Sequence, residues 1–375
     1  MKRTLKAASW MLAALPLLTG TVVLAKEPMK PAAATQQAQV PDPQMQAVLN
    51  AHQAQKPKPP NTLTPAEARK QPSAKDAVTK VLKDENKPTT PEKMGKVDNM
   101  KIPGPKGNIP VRVYTPEGSG PFPVVIYYHG GGFVLADLDT YDASPRALAK
   151  QANAVVVSVA YRLAPENPFP AAVDDADAAF RYVLMNPAKF NADPKRVAVA
   201  GESAGGNLAT VVAMRESGGA MTPVFQLLVY PFVSNDVNTP SHLEYGNGNY
   251  FVGNADIAWF WKNYVGEGWQ KTENPEAMPL HADPAHLKGM PPALIITAGL
   301  DPLKDEGMAY AQKLREAGVK VDVKNYDGVT HEFFGMASVV DKAKMAQADA
   351  ATALKDAFNK APATGGSGEP MPLTK

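Results

Sequence analysis

From residue 109 onward, short apolar runs rich in Val and Ile alternate with longer stretches in which apolar residues recur at helical spacing. Apolar runs of this kind are typical of strands buried on both faces, as in a parallel sheet. Their alternation with helices predicts an α/β fold, with a mostly parallel central sheet flanked by helices. The predicted strands are IPVRVYTP (109–116), PVVIYYH (123–129), AVVVSVAYR (154–162), RVAVAG (196–201), FQLLVYP (225–231), ALIITAG (293–299) and VKVDVKNYD (319–327), and the predicted helices are 140–151, 171–186, 204–216, 304–317 and 338–359.

Two segments interrupt this alternation. Residues 42–90 are polar with sparse apolar positions at helical spacing, and TPAEA at 64–68 predicts a helix start capped by its threonine. Residues 232–288 contain three of the four tryptophans, several Asn-Gly turns and little strand signal. Both segments predict short helices that cannot form a core alone. We expect them to form a helical cap over the carboxyl edge of the sheet, within one α/β domain covering residues 42–360.

The ends of the chain have a different composition. Residues 1–25 begin with MKRTLK, continue with an apolar run and end in VLA, which predicts a secretory signal peptide. An uncleaved membrane anchor is the alternative, because the run is just long enough to span a membrane. We expect an exported protein, periplasmic or secreted, with no stable membrane insertion after cleavage. Residues 26–41 are rich in Pro, Ala and Gln, a composition that predicts a flexible spacer. Residues 361–375 have a similar composition and predict a flexible tail.

Composition narrows the classes of function. The chain has 375 residues, 44% of them apolar, and a net charge of +2, which gives no electrostatic case for binding nucleic acid. No cysteine is present, which excludes disulfides, thiolate metal sites and a cysteine nucleophile. The segment HADPAH at 281–286 fits no common zinc spacing, so we expect neither metal nor cofactor. The sequence leaves the choice between monomer and dimer open.

The segment RVAVAGESAGGNLATVV at 196–212 joins a Val-rich strand to a helical run through the motif Gly-x-Ser-x-Gly. At a strand-to-helix turn this motif is a nucleophile elbow, in which the serine is strained and its neighbours approach too closely for side chains. The following helix points its N-terminus at the reacting centre, where negative charge develops. The motif therefore predicts Ser203 as a nucleophile, with a structural glycine turn as the alternative.

A serine hydroxyl needs a base, and in domains of this kind the acid and the histidine follow the serine in that order. Among six histidines, His331 in YDGVTHEFFG is the one that follows the last predicted strand, so we expect it to be the base. Asp301 follows the preceding strand and would hold the histidine tautomer and stabilise the imidazolium. Asp305 and Glu306 are the rival acids, but we expect them in the first turn of the next helix.

The run IYYHGGGFVL at 126–135 ends a predicted buried strand with a histidine and three adjacent glycines. Three ordered glycines are entropically costly, so they indicate backbone that must approach another group closely. A loop of this composition supplies N–H donors to the oxyanion formed when a serine attacks an ester. We expect these donors on Gly131, Gly132 and, after the nucleophile, Ala204. A flexible hairpin or a phosphate-binding loop is the alternative, but no phosphate-loop signature is present.

Five motifs occur along the chain in one order: HGGGF at 129–133, YRLAPENPFPAAVDD at 161–175, GESAGGN at 201–207, DPLKDEG at 301–307 and HEFF at 331–334. Together they resemble those of the hormone-sensitive-lipase-like esterases, the bacterial group IV lipolytic enzymes of the α/β-hydrolase fold. The resemblance covers roughly residues 42–360. One departure is Glu202, where many members have Asp.

The resemblance implies a serine carboxylesterase that cleaves small-molecule esters of short to medium chain length through an acyl-enzyme, without a metal or an organic cofactor. It also implies that His129 braces its loop and does not transfer a proton in the reaction. An amidase or arylformamidase on the same triad and a catalytically silent binding protein are the alternatives. The implied site residues are the triad Ser203, Asp301 and His331 and the oxyanion donors Gly131, Gly132 and Ala204.

We predict that the mature protein begins at Lys26. Cleavage after Ala25 would remove Lys2, Arg3 and Lys6, and so change the net charge from +2 to −1. Intact-mass measurement and N-terminal sequencing of the exported protein check this prediction. Recovery of the protein with residues 1–25 intact would favour the membrane anchor.

Overall fold

The computed structural model describes residues 39–361. The predicted signal peptide, nearly all of the predicted spacer and all but the first residue of the predicted tail lie outside these described residues. Among residues 39–361, no helix combines the length and the apolar character needed to cross a membrane.

An eight-stranded sheet forms the centre of the fold. Its strand order is β1-β2-β4-β3-β5-β6-β7-β8, in which β1 and β2 pair antiparallel and β3 to β8 run parallel. The parallel strands β3 to β7 are almost fully buried, as their apolar runs predicted. The strands are β1 Lys96–Gly104, β2 Gly107–Thr115, β3 Phe122–Tyr128, β4 Val155–Val159, β5 Ala192–Glu202, β6 Phe225–Val229, β7 Ala293–Leu300 and β8 Val321–Thr330.

Helices cover both faces of the sheet. The long helices lie where the periodicity predicted them, with ends that differ by at most three residues. Short 3-10 turns occur at Pro60–Thr62, Pro187–Phe190, Trp269–Lys271, Pro279–His281 and Phe333–Met336. The α-helices are α1 Pro43–Ala54, α2 Pro65–Ala68, α3 Ala74–Asp84, α4 Ala143–Ala152, α5 Ala171–Met185, α6 Ala204–Glu216, α7 Pro240–Tyr245, α8 Asn254–Tyr264, α9 Pro284–Leu287, α10 Lys304–Glu316 and α11 Asp341–Lys360.

The buried apolar side chains form two clusters, one on each face of the sheet. One cluster joins α5, α6 and α10 to the aromatic residues of α8, and the other joins α1, α3, α4 and α11. In the first cluster, Tyr264 stacks on Phe133 with ring centroids 3.7 Å apart, and Trp261 is fully buried against both. The tryptophan-rich segment therefore packs onto the sheet domain.

Two details differ from the expectations. Strand β1 was not predicted, because in KVDNMKIPG only Ile102 is fully buried and no apolar period is visible. Gly328 and Thr330 lie beyond the end of the predicted strand at 319–327 but belong to β8. They stay in the strand because β7 and β8 change register between Ala298 and Leu300 and then pair Leu300 with Thr330.

The N-terminal helices are tied to the edge of the sheet by polar contacts. Thr64 caps α2 in a capping box with Glu67, as TPAEA predicted. Arg69, at the end of that helix, donates to the carbonyl oxygens of Val134 and Ala164 at 2.8 Å and pairs with Glu166 at 2.7 Å. These contacts hold part of the predicted cap segment 42–90 against the loops that follow β3 and β4.

The motif at 161–175 contains a buried ion pair that we expect to stabilise the fold. Asp175 is fully buried and accepts from the Arg162 backbone N–H at 2.9 Å and from its guanidinium at 2.8 Å. Asp175→Asn removes the negative charge and one of the two acceptor oxygens that face this partly buried guanidinium, which we expect to lower the free energy of unfolding by about 2–4 kcal/mol. Urea denaturation checks the value. The exposed Asp322→Asn is the control, and equal losses in both variants would contradict the assignment.

Candidate active site

Ser203 lies at the turn between β5 and α6 in a strained backbone conformation. Its φ is 56° and its ψ −119°, a region that non-glycine residues rarely occupy. The turn is held on both sides, since the Ser203 N–H donates to Val229 at 2.9 Å and its carbonyl accepts from Phe232 at 3.1 Å. The strained backbone that the motif predicted for Ser203 is confirmed. A strained residue that its hydrogen bonds hold in place is typical of functional sites.

The glycines of the motif are required by close backbone approach. A Cβ atom on Gly201 would clash with the carbonyl of Gly205, and a Cβ atom on Gly205 would clash with the carbonyls of Tyr128 and His129. The N-terminus of α6 therefore packs directly against the end of β3. This contact places the serine beside the glycine loop that follows β3.

Asp301 and His331 form a buried hydrogen-bonded pair. Asp301 follows β7 and His331 follows β8, and these strands are neighbours, so both loops meet at one edge of the sheet. The Asp301 Oδ2 atom lies 2.7 Å from His331 Nδ1, and its Oδ1 atom accepts from the Leu303 N–H at 2.9 Å. Ser203 and His331 line the same cavity. The structure thus brings together the three residues predicted as a triad.

The environment of His331 favours its protonated form. Burial by itself lowers the pKa of His331, but the charge and hydrogen bond of Asp301 outweigh it, and the carboxylates of Glu332 and Glu202 add to the effect. The net pKa is raised above the usual histidine value. Such a site stabilises an imidazolium formed by proton transfer.

The glycine loop presents unpaired donors. Gly131 and Gly132 have φ values of 98° and 59°, a backbone conformation in which a residue with a side chain would be strained. Their N–H groups donate to no protein acceptor within residues 39–361, and the N–H of Ala204 is free because it begins α6. These are the donors predicted for an oxyanion, and Gly131, Gly132 and Ser203 line one cavity.

His129 is enclosed beneath this loop. Its Nδ1 atom lies 2.8 Å from the Gly130 carbonyl oxygen, and its ring stacks on Tyr161 with centroids 4.4 Å apart. Burial lowers the pKa of His129 to about 4, so the ring is neutral near pH 7. A neutral, enclosed ring suits a bracing role.

Two further acids lie behind His331: Glu202, which the sequence marked only as a departure from the family motif, and Glu332, which it did not single out. Glu202 is buried and accepts from the hydroxyls of Tyr127 and Tyr230, and burial raises its pKa to about 7. Glu332, with a φ of 71°, is half-buried and accepts from the Tyr141 hydroxyl at 2.6 Å. The one signal in the sequence was the presence of an acid next to each of two predicted catalytic residues.

The rival acids have other contacts. Asp305 and Glu306 lie in the first turn of α10, as expected. Asp305 accepts from the Ser241 N–H at 2.8 Å, and Glu306 accepts from the Val233 N–H at 2.7 Å. Both therefore anchor the 232–288 segment to α10, while Asp301 holds His331.

The HADPAH segment also has local contacts. Asp283 caps α9 by accepting from Ala285, and His281 Nε2 lies 3.0 Å from Asn235 Oδ1. Among the described residues, no group of three or more histidine, aspartate or glutamate side chains is arranged to hold a metal ion.

The cavity around Ser203 has a volume of about 530 Å³. Its walls come from the sheet edge and from both segments predicted to form the cap. A size of this order suits a small organic ligand. The apolar lining includes Leu135, Leu163, Phe232, Phe251, Ile257 and Phe260.

This fold and this arrangement of a strained serine, a histidine–aspartate pair and free N–H donors define a hydrolase of the α/β class. The family model described as alpha/beta hydrolase fold matches residues 125–335. The carboxylic ester hydrolase LipN of Mycobacterium tuberculosis is 45% identical over 247 residues, which cover 64% of this chain and 65% of LipN. The carboxylesterase NlhH of the same species is 45% identical over 260 residues, which cover 67% of this chain and 79% of NlhH.

The chain is also similar to solved structures of esterases. The hyperthermophilic esterase from the archaeon Pyrobaculum calidifontis is 38% identical, superposes with a TM-score of 0.75 and covers 84% of this chain and 98% of its own. The chain therefore belongs to the hormone-sensitive-lipase-like carboxylic ester hydrolases of the α/β-hydrolase fold, as its motifs predicted.

Glu332→Gln is expected to lower the pKa of His331. The amide keeps an acceptor for Tyr141 but removes a negative charge beside the imidazole, so the protonated form of His331 loses stabilisation and its pKa falls. NMR titration of the His331 Cε1 proton measures the change. Tyr141→Phe removes the hydrogen bond and keeps the charge, and so serves as the control. A titration midpoint that moves only in Tyr141→Phe would contradict the electrostatic explanation.

Proposed function

We propose that the protein hydrolyses small-molecule carboxylic esters through a Ser203–His331–Asp301 triad and an acyl-enzyme intermediate. The observation that carries the proposal is the buried Asp301–His331 hydrogen bond at the edge of the cavity that Ser203 enters. The relatives named carboxylic ester hydrolase and carboxylesterase support the reaction class.

In the first half of the reaction, His331 takes the proton of Ser203 as Oγ attacks the ester carbonyl carbon. The carbonyl oxygen becomes an oxyanion, which the N–H groups of Gly131, Gly132 and Ala204 would stabilise. Asp301 holds the imidazole orientation and stabilises its positive charge. The imidazolium then gives its proton to the alcohol oxygen as the ester bond breaks.

In the second half, water takes the place of the alcohol. His331 removes a proton from the water, which attacks the acyl carbon, and the proton passes to Ser203 as the acid leaves. The same donors serve the second oxyanion. No step requires a group from outside the chain other than ester and water.

We infer a preference for short to medium acyl chains. The supporting observation is the cavity of about 530 Å³, which side chains from residues 42–90 and 232–288 wall in above Ser203. A long chain would have to displace these contacts, including those of Arg69. An amidase or arylformamidase is the second candidate, because the same groups act on an amide carbonyl.

Ser203→Ala is expected to abolish turnover of p-nitrophenyl esters while leaving the fold intact. Loss of the nucleophile costs a factor of about 10⁴–10⁶ in kcat. Assays across acyl lengths should show wild-type activity that falls beyond medium chains, and circular dichroism should match between the two proteins. Substantial turnover by Ser203→Ala would refute the nucleophile.

His331→Ala should be as inactive as Ser203→Ala, whereas His281→Ala and His286→Ala should be near normal. Loss of activity in the latter two would revive a metal site at HADPAH. Parallel assays on p-nitroanilides separate the two candidate functions: hydrolysis of anilides without hydrolysis of esters would favour the amidase.

A further inference from the structure

The segment from Val229 to Phe232 is docked on the turn that contains Ser203. Val229 accepts from the Ser203 N–H at 2.9 Å, and the Phe232 N–H donates to the Ser203 carbonyl at 3.1 Å. Pro231 packs against the first turn of α6, since a Cβ atom built on Gly206 would lie 3.0 Å from the Pro231 side chain. Three of the four residues in this segment therefore contact the nucleophile turn.

The fourth residue of the segment, Tyr230, packs against the histidine. Its ring lies on the imidazole of His331, with centroids 4.5 Å apart and ring planes inclined by 49°. Tyr230 is fully buried, and His331 is nearly so. One short segment thus contacts both the backbone of the predicted nucleophile and the ring of the predicted base.

The backbone of Tyr230 is strained and firmly held. Its φ is 35°, a positive value that is unusual for a residue with a bulky side chain. Its N–H donates to the carbonyl oxygen of Ile296 in β7 at 2.6 Å, which ties the segment to the neighbouring strand. An observed outlier that the surrounding structure maintains at some cost points to a functional role for that residue.

The Tyr230 hydroxyl is anchored by Glu202, the residue directly before Ser203. This hydroxyl donates to Glu202 Oε2, and the Tyr127 hydroxyl donates to Glu202 Oε1. A buried hydroxyl is costly without a partner, so the bond to Glu202 favours one position of the Tyr230 ring. A phenylalanine at this position would fill the same space without the anchor.

The bond from Asp301 leaves the orientation of the His331 ring incompletely fixed. It constrains one atom of the imidazole, Nδ1, and the ring can still tilt about that atom. The other nitrogen, Nε2, has to reach the Ser203 hydroxyl for proton transfer, and a small misplacement of a reacting group is costly in rate. A packed ring against the imidazole opposes this tilt.

We propose that Tyr230 is a positioning residue for the esterase reaction: its ring keeps the His331 imidazole directed at Ser203, and Glu202 anchors that ring through the hydroxyl. The inference rests on the proposed function. It extends the catalytic apparatus from the triad to the residues that connect the nucleophile turn with the base, and it gives Glu202 an indirect part in catalysis.

Two substitutions at Tyr230 separate the ring from its anchor. Tyr230→Phe keeps the ring and removes the hydroxyl, whereas Tyr230→Leu removes the aromatic ring. Tyr326→Phe is the matched control, because the Tyr326 hydroxyl also donates to a carboxylate, that of Asp349, at 2.6 Å. Its ring pairs with Phe333, with centroids 5.6 Å apart, and with no other aromatic or histidine ring within residues 39–361.

The readout is kcat and KM for p-nitrophenyl butyrate. Active sites are counted by complete titration with a fluorophosphonate, so that kcat refers to folded enzyme only. A misplaced base slows proton transfer but leaves substrate binding intact, so the loss should appear in kcat and not in KM. We expect kcat to fall by about 3–10-fold in Tyr230→Phe and by about 10–100-fold in Tyr230→Leu, with Tyr326→Phe like wild type.

Each variant can overturn a part of the proposal. Wild-type kcat in Tyr230→Leu would reject positioning by the ring, and wild-type kcat in Tyr230→Phe would reject the anchor at Glu202. A loss confined to KM, or an equal loss in Tyr326→Phe, would also reject the positioning role. If Tyr230→Leu does not fold, as judged by circular dichroism, Tyr230→Phe decides alone. Failure of the proposed function is a separate result, in which Ser203→Ala retains turnover of the same ester.

Discussion

The site depends on the close approach of the α6 N-terminus to the end of β3. Gly205 lies so near the carbonyls of Tyr128 and His129 that no Cβ atom fits between them. That single contact fixes the strained serine, the free N–H groups of the glycine loop and the start of α6 relative to one another. Because backbone atoms make the contact, the geometry resists relaxation, which is what a preorganised oxyanion site requires.

The second constraint is electrostatic. His331 is buried beside Asp301, and the carboxyls of Glu332 and Glu202 lie close behind it. Two of these three acids have a pKa raised above the usual range, chiefly by burial, and tyrosine hydroxyls bond to both. The charge of Asp301, with that of these two carboxyls when they are ionised, favours a proton on the His331 imidazole. The proton that leaves Ser203 would be held in a site already prepared for it.

The parts of this structure that were predictable are those whose sequence pattern follows from local physics. Strands β3 to β7 are buried on both faces, so their residues had to be apolar, and the elbow needed glycines at fixed offsets. Strand β1, with only Ile102 fully buried, had no such requirement. The Tyr141–Glu332 bond joins residues 191 positions apart, and no local pattern records a partner at that distance.

The same reasoning explains why substrate choice is harder to infer than reaction type. The groups proposed to react lie at the edge of the sheet, where spacing in the sequence reports geometry. The groups that would contact the rest of a substrate lie on residues 42–90 and 232–288, whose short helices carry weak patterns. The contacts that position those segments, such as the Arg69–Glu166 pair, join residues far apart along the chain, and no local pattern records them.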